Sequence, residues 1–137
     1  MTWLLDTCVL RDFARGEAGT LRRLKSASPA EIAVSAVTVM EVEYGLARVP
    51  ARAGKLGPVM RAFLGAVAVL PYATEDAQAS ASLRAALERR GRPIGAYDIL
   101  IAGSALARGL VLVTSNVREF DRVSGLRVEN WRVRGDP

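Results

Sequence analysis

Asp98 stands in "GRPIGAYDILIAGSALARG", Gly91 to Gly109, at the head of a helical pattern that continues in aliphatic and small residues. An ionised carboxylate in such surroundings is costly unless a cation or strong donors meet it, and the neighbouring sequence offers no such partner. Three more acids raise the same question: Asp6 in "LLDTCVL", Glu41 in "SAVTVMEVEYGL" and Glu119 in "TSNVREFDRV". Carboxylates gathered at one crevice repel one another and do not all stay charged without a cation. Oxygen-only ligation by a few carboxylates and water suits Mg2+ or Mn2+. Such an ion activates water and stabilises a phosphorus-centred transition state, with a second ion about 3.5 to 4 Å away in the two-metal arrangement.

The chain contains no histidine, which excludes Ser-His-Asp triads, imidazole acid/base chemistry and His-ligated zinc together. Its 19 Lys and Arg against 14 Asp and Glu leave a net charge of +5, and seventeen of those basic residues are Arg. The planar guanidinium fork matches phosphate bidentately, so a polyanion is an expected partner. Basic charge, acids of the Mg2+-binding kind and the missing histidines converge on phosphodiester hydrolysis.

For these acids to cooperate, the fold must bring them to one place. Apolar or β-branched runs at 2–5, 31–35, 67–72, 110–114 and 126–131 read as strands. Helical patterns lie between them at 8–15, 18–26, 36–48, 56–66, 75–90 and 96–108, with a short turn at 117–123. "RVPARAGKLGP" (48–58) reads as a helix-breaking loop inside a helical hairpin, and "RRGRP" (89–93) breaks a second pair. Strands alternating with helices predict an α/β fold with about five parallel strands covered on both faces. In open parallel sheets the ligand crevice lies outside the carboxyl ends of the strands. Asp6 directly follows the first predicted strand, Ser35 ends the second and leads to Glu41, and Thr114, Ser115 and Asn116 end the fourth, one turn before Glu119. A helix packed on a parallel sheet runs antiparallel to it, which places Asp98 at the same rim.

Each acid also has a plainer reading. Asp6 is a good N-cap for the first helix. Glu41 shares a strip with Thr38 and Gly45, opposite Glu43, and is otherwise a solvated glutamate. Asp98 in a first turn suits the helix dipole and an Arg partner. Glu119 competes with Asp121, two residues on. The lone Cys8 makes neither an internal disulfide nor a Cys-rich metal site and reads as a small buried apolar residue.

The length of 137 residues suits one domain, 1–137. No apolar run approaches the roughly 18 residues of a membrane span, and no leader pattern is visible, so a cytoplasmic protein is expected. A haloacid-dehalogenase-type phosphatase would want a second Asp where Cys8 stands. A receiver domain would want paired early acids and a late lysine, and Lys25 and Lys55 are the only lysines.

"LLDTCVL", "SAVTVMEVEYGL" and the whole of 91–131 resemble the PIN-domain ribonucleases, in particular the VapC-type toxins of toxin–antitoxin pairs. The last segment carries most of the likeness: the IGxxDxxIAG pattern, a strand, the TxN turn, the "REF" element and a terminal "GLxxxxW" follow in order. The resemblance spans residue 3 to about 131. It implies a PIN-like three-layer α/β/α sandwich and a Mg2+-dependent endoribonuclease, with Mn2+ a possible substitute. Relatives with this C-terminal segment cut tRNA, ribosomal RNA or mRNA, and tRNA is the favoured substrate here, with inhibition of translation as the consequence.

Carried over residue by residue, Asp6, Glu41, Asp98 and Glu119 match the family's metal-binding and catalytic acids, with Thr7, Ser115 and Asn116 in support. Arg89, Arg90, Arg92 and Arg118 are the expected RNA contacts. Position 8 is Cys where the family usually has Asn. A homodimer and a VapB-type antitoxin are the implied protein partners. Helices over 8–26 and 36–66 carry more apolar residues than one sheet face covers, among them Leu10, Phe13, Leu21, Leu24, Val42, Leu46 and Leu56. An antitoxin helix laid there, bringing an Arg or an acid to the site, is the expected form of inhibition. The alternative function is a catalytically silent RNA-binding or protein-binding module on the same scaffold.

Overall fold

The computed structural model describes residues 1–132. Five strands, β1 (Trp3–Leu5), β2 (Ile32–Ser35), β3 (Ala68–Leu70), β4 (Val111–Val113) and β5 (Val128–Glu129), form one parallel sheet in the order β3-β2-β1-β4-β5. Seven helices connect them: α1 (Thr7–Arg15), α2 (Ala18–Ser26), α3 (Ala36–Arg48), α4 (Pro50–Ala66), α5 (Thr74–Arg89), α6 (Ala96–Arg108) and α7 (Val117–Phe120). This is the expected α/β/α sandwich.

The strands are short apolar runs because both sheet faces are covered. Leu4, Ala33 and Leu112 point into a core shared with Leu83, Leu87, Ile101 and Phe120. Their neighbours Leu5, Val34 and Val113 point the other way, onto Val9, Leu10, Met60 and Trp131. That alternation is the two-residue period of a strand. Register then decides where the chemistry goes. Leu5 is level with Val34 and with Val113, so the next residues, Asp6, Ser35 and Thr114, emerge side by side at the carboxyl edge. The chain winds outward from β1 through β2 to β3 and then returns to β4 on the opposite side. The switch point therefore falls between β1 and β4, where a crevice opens in folds of this kind.

Helices α2, α3 and α6 have the expected boundaries; α4 does not. The segment 48–58, read as a loop, is a single break at Val49 followed by helix from Pro50. Pro50 is tolerated at the first helical position, where its missing N–H costs nothing. Pro58 lies inside the helix and meets Gly54 at i−4, a combination that local propensity disfavours. Tertiary packing overrides it: Met60 is buried and Phe63 and Leu64 pack into the second core, while Arg61 reaches Glu43 of α3 at 3.0 Å. The predicted strands at 67–72 and 126–131 shrink to 68–70 and 128–129.

The apolar surplus expected on α1 to α4 is largely consumed inside the chain. Leu10 and Leu46 are buried, and Phe13, Leu24 and Val42 pack against the second core. The exposed large apolar side chains nearby are instead Met40, Tyr44, Val59 and Tyr97. On the opposite face, α5 and α6 approach so closely that a Cβ on Gly103 would stand 1.9 Å from Ser80 Oγ and 2.9 Å from Ser80 Cα. The glycine of "IAGSALARG" is thus fixed by helix packing. The expected single domain extends to residue 137; residues 133–137 lie outside the described residues.

Candidate active site

Asp6 is the N-cap of α1, its plainer reading, and its carboxylate also lies at the carboxyl edge of the sheet. Its backbone is extended, and its N–H donates to Val113 O at 2.9 Å, which holds it beside β4. Its nearly buried carboxylate accepts from the Thr7 N–H at 2.8 Å and from the Thr114 hydroxyl at 2.8 Å, across the switch point. Cys8 Sγ stands 3.4 Å from the same carboxylate, 3.4 Å from the Thr114 hydroxyl and 3.4 Å from that of Ser115. Burial and the Asp6 charge push the Cys8 thiol above its usual value, so it acts as a neutral donor. The sequence reading of Cys8 as a small buried apolar residue is corrected here: it is half-buried and belongs to this polar network.

Glu41 is delivered by α3, whose N-cap Ser35 accepts from the Val37 N–H at 3.0 Å. The Thr7 hydroxyl donates to Glu41 Oε1 at 2.7 Å and lies 3.3 Å from the buried Thr38 hydroxyl. Glu41 is thus turned to the end of β1 rather than to bulk water, while Glu43 on the other side of the helix pairs with Arg61. Glu119, in the single-turn α7, accepts from Asn116 Nδ2 at 3.1 Å. Asp121 is exposed just past that helix, and Glu119 is the acid that reaches Asp98.

Asp98 is the third residue of α6, after the cap residue Gly95. A Cβ on Gly95 would come within 3.1 Å of Asp98 Oδ2, so the glycine leaves room for the carboxylate. Burial, the Asp6 charge, a hydrogen bond with Glu119 and the charges of Glu119 and Glu41 push the Asp98 carboxyl up to about 7. The helix dipole acts the other way and loses. Among the described residues no ion pair includes Asp6, Glu41, Asp98 or Glu119. The Arg-paired reading of Asp98 therefore has no arginine to support it.

The donor set is oxygen only and repels itself, which suits a hard divalent cation. Among the described residues no group of three or more acids stands close enough, as placed, to hold a metal ion. Glu41 rests on Thr7 and Glu119 on Asn116, neutral donors that leave both carboxylates their charge. The arrangement fits an ion that completes it.

Arg89, Arg90, Arg92 and Arg118, the expected RNA contacts, are all exposed; Arg89 and Arg90 line a hollow with Leu106 and Val123 that includes none of the four acids. Arg90 Nη2 donates to Arg122 O at 2.6 Å and Arg122 Nη1 to Pro93 O at 2.9 Å, which ties the α5–α6 loop to the chain after α7. In the sequence Thr114 ends a strand and opens the TxN turn, with no role of its own assigned. Its signal was its place directly after β4, level with Asp6. Tyr44 and Tyr97 gave no signal, because the hollow they share is built from separate elements.

Comparison with known proteins gives the chain its family. Residues 3–126 match the PIN domain family. The chain is 36% identical over 131 residues to the "tRNA(fMet)-specific endonuclease VapC" of Shigella flexneri, covering 96% of this chain and 98% of that protein. It is 34% identical over 132 residues to "Ribonuclease VapC2" of Haemophilus influenzae, with the same coverage of both chains. Among solved structures, the DNA-bound VapBC complex from Salmonella typhimurium superposes with a TM-score of 0.89 at 36% identity, over 96% of this chain and 98% of that one.

Proposed function

Because the chain belongs to the PIN-domain family, in its VapC group, we propose that it is a Mg2+-dependent endoribonuclease toxin that hydrolyses RNA phosphodiester bonds, with tRNA favoured. The observation that carries this reading is the gathering of Asp6, Glu41 and Glu119 about the half-buried Asp98, whose carboxyl they and its burial push up, with no ion pair to any of the four among the described residues. Acids kept unpaired at a switch-point crevice are costly architecture and useful ligands. The relatives named as endonucleases and ribonucleases support RNA as the substrate.

Asp6, Glu41, Asp98 and Glu119 would hold the cation. When bound, it supplies Lewis acidity that activates water and offsets charge developing at phosphorus. The remaining work falls to the chain. Thr114 and the Thr7 N–H aim Asp6, the Thr7 hydroxyl aims Glu41, and Asn116 aims Glu119. Ser115 braces Cys8 beneath them. Arg89, Arg90, Arg92 and Arg118 would neutralise phosphates on the flank beyond α7. Cutting tRNA removes the adaptor that translation needs, so free toxin would halt it.

A VapB-type antitoxin is the proposed neutralising partner, in line with the VapBC complex that the chain resembles. We take 1–137 as a single PIN domain, acting as a homodimer in the cytoplasm. Among the described residues no helix is long and apolar enough to cross a membrane. The test is cleavage of total RNA by antitoxin-free protein, with the new ends mapped. EDTA should abolish cutting, and Mg2+ or Mn2+ should restore it. Full activity in excess chelator would overturn the mechanism, and no cutting with either ion would leave a silent binding module.

A further inference from the structure

Beside the acids lies a hollow of about 550 Å³ walled by α1, α3 and α4, with Tyr97 of α6 completing its lining. Its floor is apolar, from the buried Leu10, Leu46 and Met60. Thr7 and Glu41 belong to this lining as well as to the acid site, so the hollow opens onto the chemistry.

Two features of its wall have no partner among the described residues. Arg11, Arg48 and Arg52 are exposed and make no ion pair or hydrogen bond among the described residues. Six other arginines, Arg15, Arg23, Arg61, Arg84, Arg108 and Arg132, are all engaged by carboxylates. Tyr44 and Tyr97 are 62% and 51% exposed, with phenols that bond to nothing among the described residues. Large rings left open to water beside unpaired guanidiniums call for a partner that is flat, apolar in face and anionic along its backbone. An unpaired stretch of nucleic acid has those properties; a duplex hides its base faces.

We propose that this hollow seats unpaired nucleotides of the RNA substrate next to the scissile phosphate, with bases stacked on Tyr44 and Tyr97 and phosphates on Arg11, Arg48 and Arg52. The inference rests on the ribonuclease reading and extends it. The strand would run from the hollow across Glu41 and Asp98 to the basic 89–92 loop, leaving the acids between two positive flanks. Tyr97 and Asp98 are adjacent on α6, so one stacked base would place the neighbouring phosphate at the acid rim. An antitoxin lying on α1 to α4 would then compete with substrate as well as cover the acids.

Binding of a short fluorescein-labelled single-stranded RNA to the full chain in EDTA, read by anisotropy, tests this without cleavage. Tyr44→Ala and Tyr97→Ala should each weaken binding about 5- to 100-fold, and the Phe variants should retain most of it. Arg48→Ala should weaken binding and flatten the log–log salt dependence by about 0.7. Arg84→Ala on α5, away from the hollow, should bind like wild type. A folded Tyr44→Ala/Tyr97→Ala chain that binds RNA as wild type does would overturn the proposal. The same result joined to loss of the VapB-type antitoxin would make the hollow a protein seat and overturn it equally. Wild-type chain that binds no RNA and cuts none with Mg2+ would reject the ribonuclease reading itself, a different outcome from active protein indifferent to the tyrosines.

Discussion

Asp76 and Asp98 hold the same position in consecutive helices, the third residue of the first turn of α5 and of α6, and they meet opposite environments. Asp76 is fully buried; Arg108 grips both its oxygens, Nε at 3.1 Å and Nη2 at 2.9 Å, and the Ala73 N–H adds a bond at 2.6 Å. Burial pushes its carboxyl upward, but Arg108 and the backbone donor outweigh it and hold it below the ordinary value. Asp98 has burial, Asp6, Glu119 and Glu41 against it and no guanidinium paired to it among the described residues. Helix position and dipole are shared, so the partner decides whether a buried acid is architecture or equipment. Asp12 falls with Asp76: Arg132 binds it at 2.8 and 2.9 Å and Arg15 adds a further contact.

The largest effect should come from Asp98→Asn. We expect loss of Mg2+-dependent RNA cleavage beyond the about 10- to 100-fold typical of an outer-shell partner. The metal-free fold should be as stable as wild type or more so, because a repelled charge is gone. Melts in EDTA beside a cleavage assay check both halves; a variant that melts clearly lower yet still cuts would place Asp98 with Asp76. Asp76→Asn should do the reverse, costing about 3 kcal/mol, or roughly 10 °C in melting temperature, by stripping Arg108 of its counterion. Refolded at low temperature it should still cut RNA.

The pH dependence of stability in EDTA sharpens the contrast. Asp98 binds its proton more tightly in the folded than in the unfolded chain, so folding should weaken as pH rises from about 4 to about 7. Asp76 and Asp12 are depressed in the folded chain, so their stabilisation is present above about pH 4 and is lost below it. Urea unfolding across pH 3 to 8 should show a maximum near pH 4 to 5, and Asp98→Asn should remove the decline on its alkaline side while keeping the acid limb. The smallest effect is assigned to Cys8→Asn, which replaces one neutral donor by another beside Asp6 and Ser115. Activity should change by less than about tenfold, measured as the Mg2+ concentration for half-maximal cutting.

Much of this was legible in the sequence where local chemistry and tertiary structure agree. Asp6, Ser35 and Thr114 follow apolar strands, and the parallel register makes their alignment a geometric consequence. Helices α3 and α6 announce themselves by the Ser35 cap and by Gly109 at a φ of 64°. Helix α4 was hidden because Pro50, Gly54, Gly57 and Pro58 argue locally for a loop, and only Met60, Phe63 and Leu64 reaching the second core reverse that. Whether an acid would find an arginine was equally hidden: Arg108 lies 32 residues from Asp76, and Arg132 lies 120 from Asp12. Sequence proximity carries no information about such pairs. The Tyr44 and Tyr97 hollow is of the same kind, two rings from helices far apart in the chain.

The contact between Gly103 and Ser80 has a consequence for how the molecule opens. With no side chain at 103, α5 and α6 meet nearly backbone to backbone, and the Arg108–Asp76 pair bolts the end of the hairpin away from Asp98. Residues 74–108 are thereby joined as one antiparallel hairpin, the kind of supersecondary segment that can exchange its amide hydrogens together. Asp98 rides on that unit, whereas Asp6 and Glu41 belong to the sheet and to α3. A fluctuation that loosened the hairpin from the strand core it shares with Leu4, Ala33 and Leu112 would carry Asp98 away from Asp6, so the acids stay together only while that face of the sheet is covered.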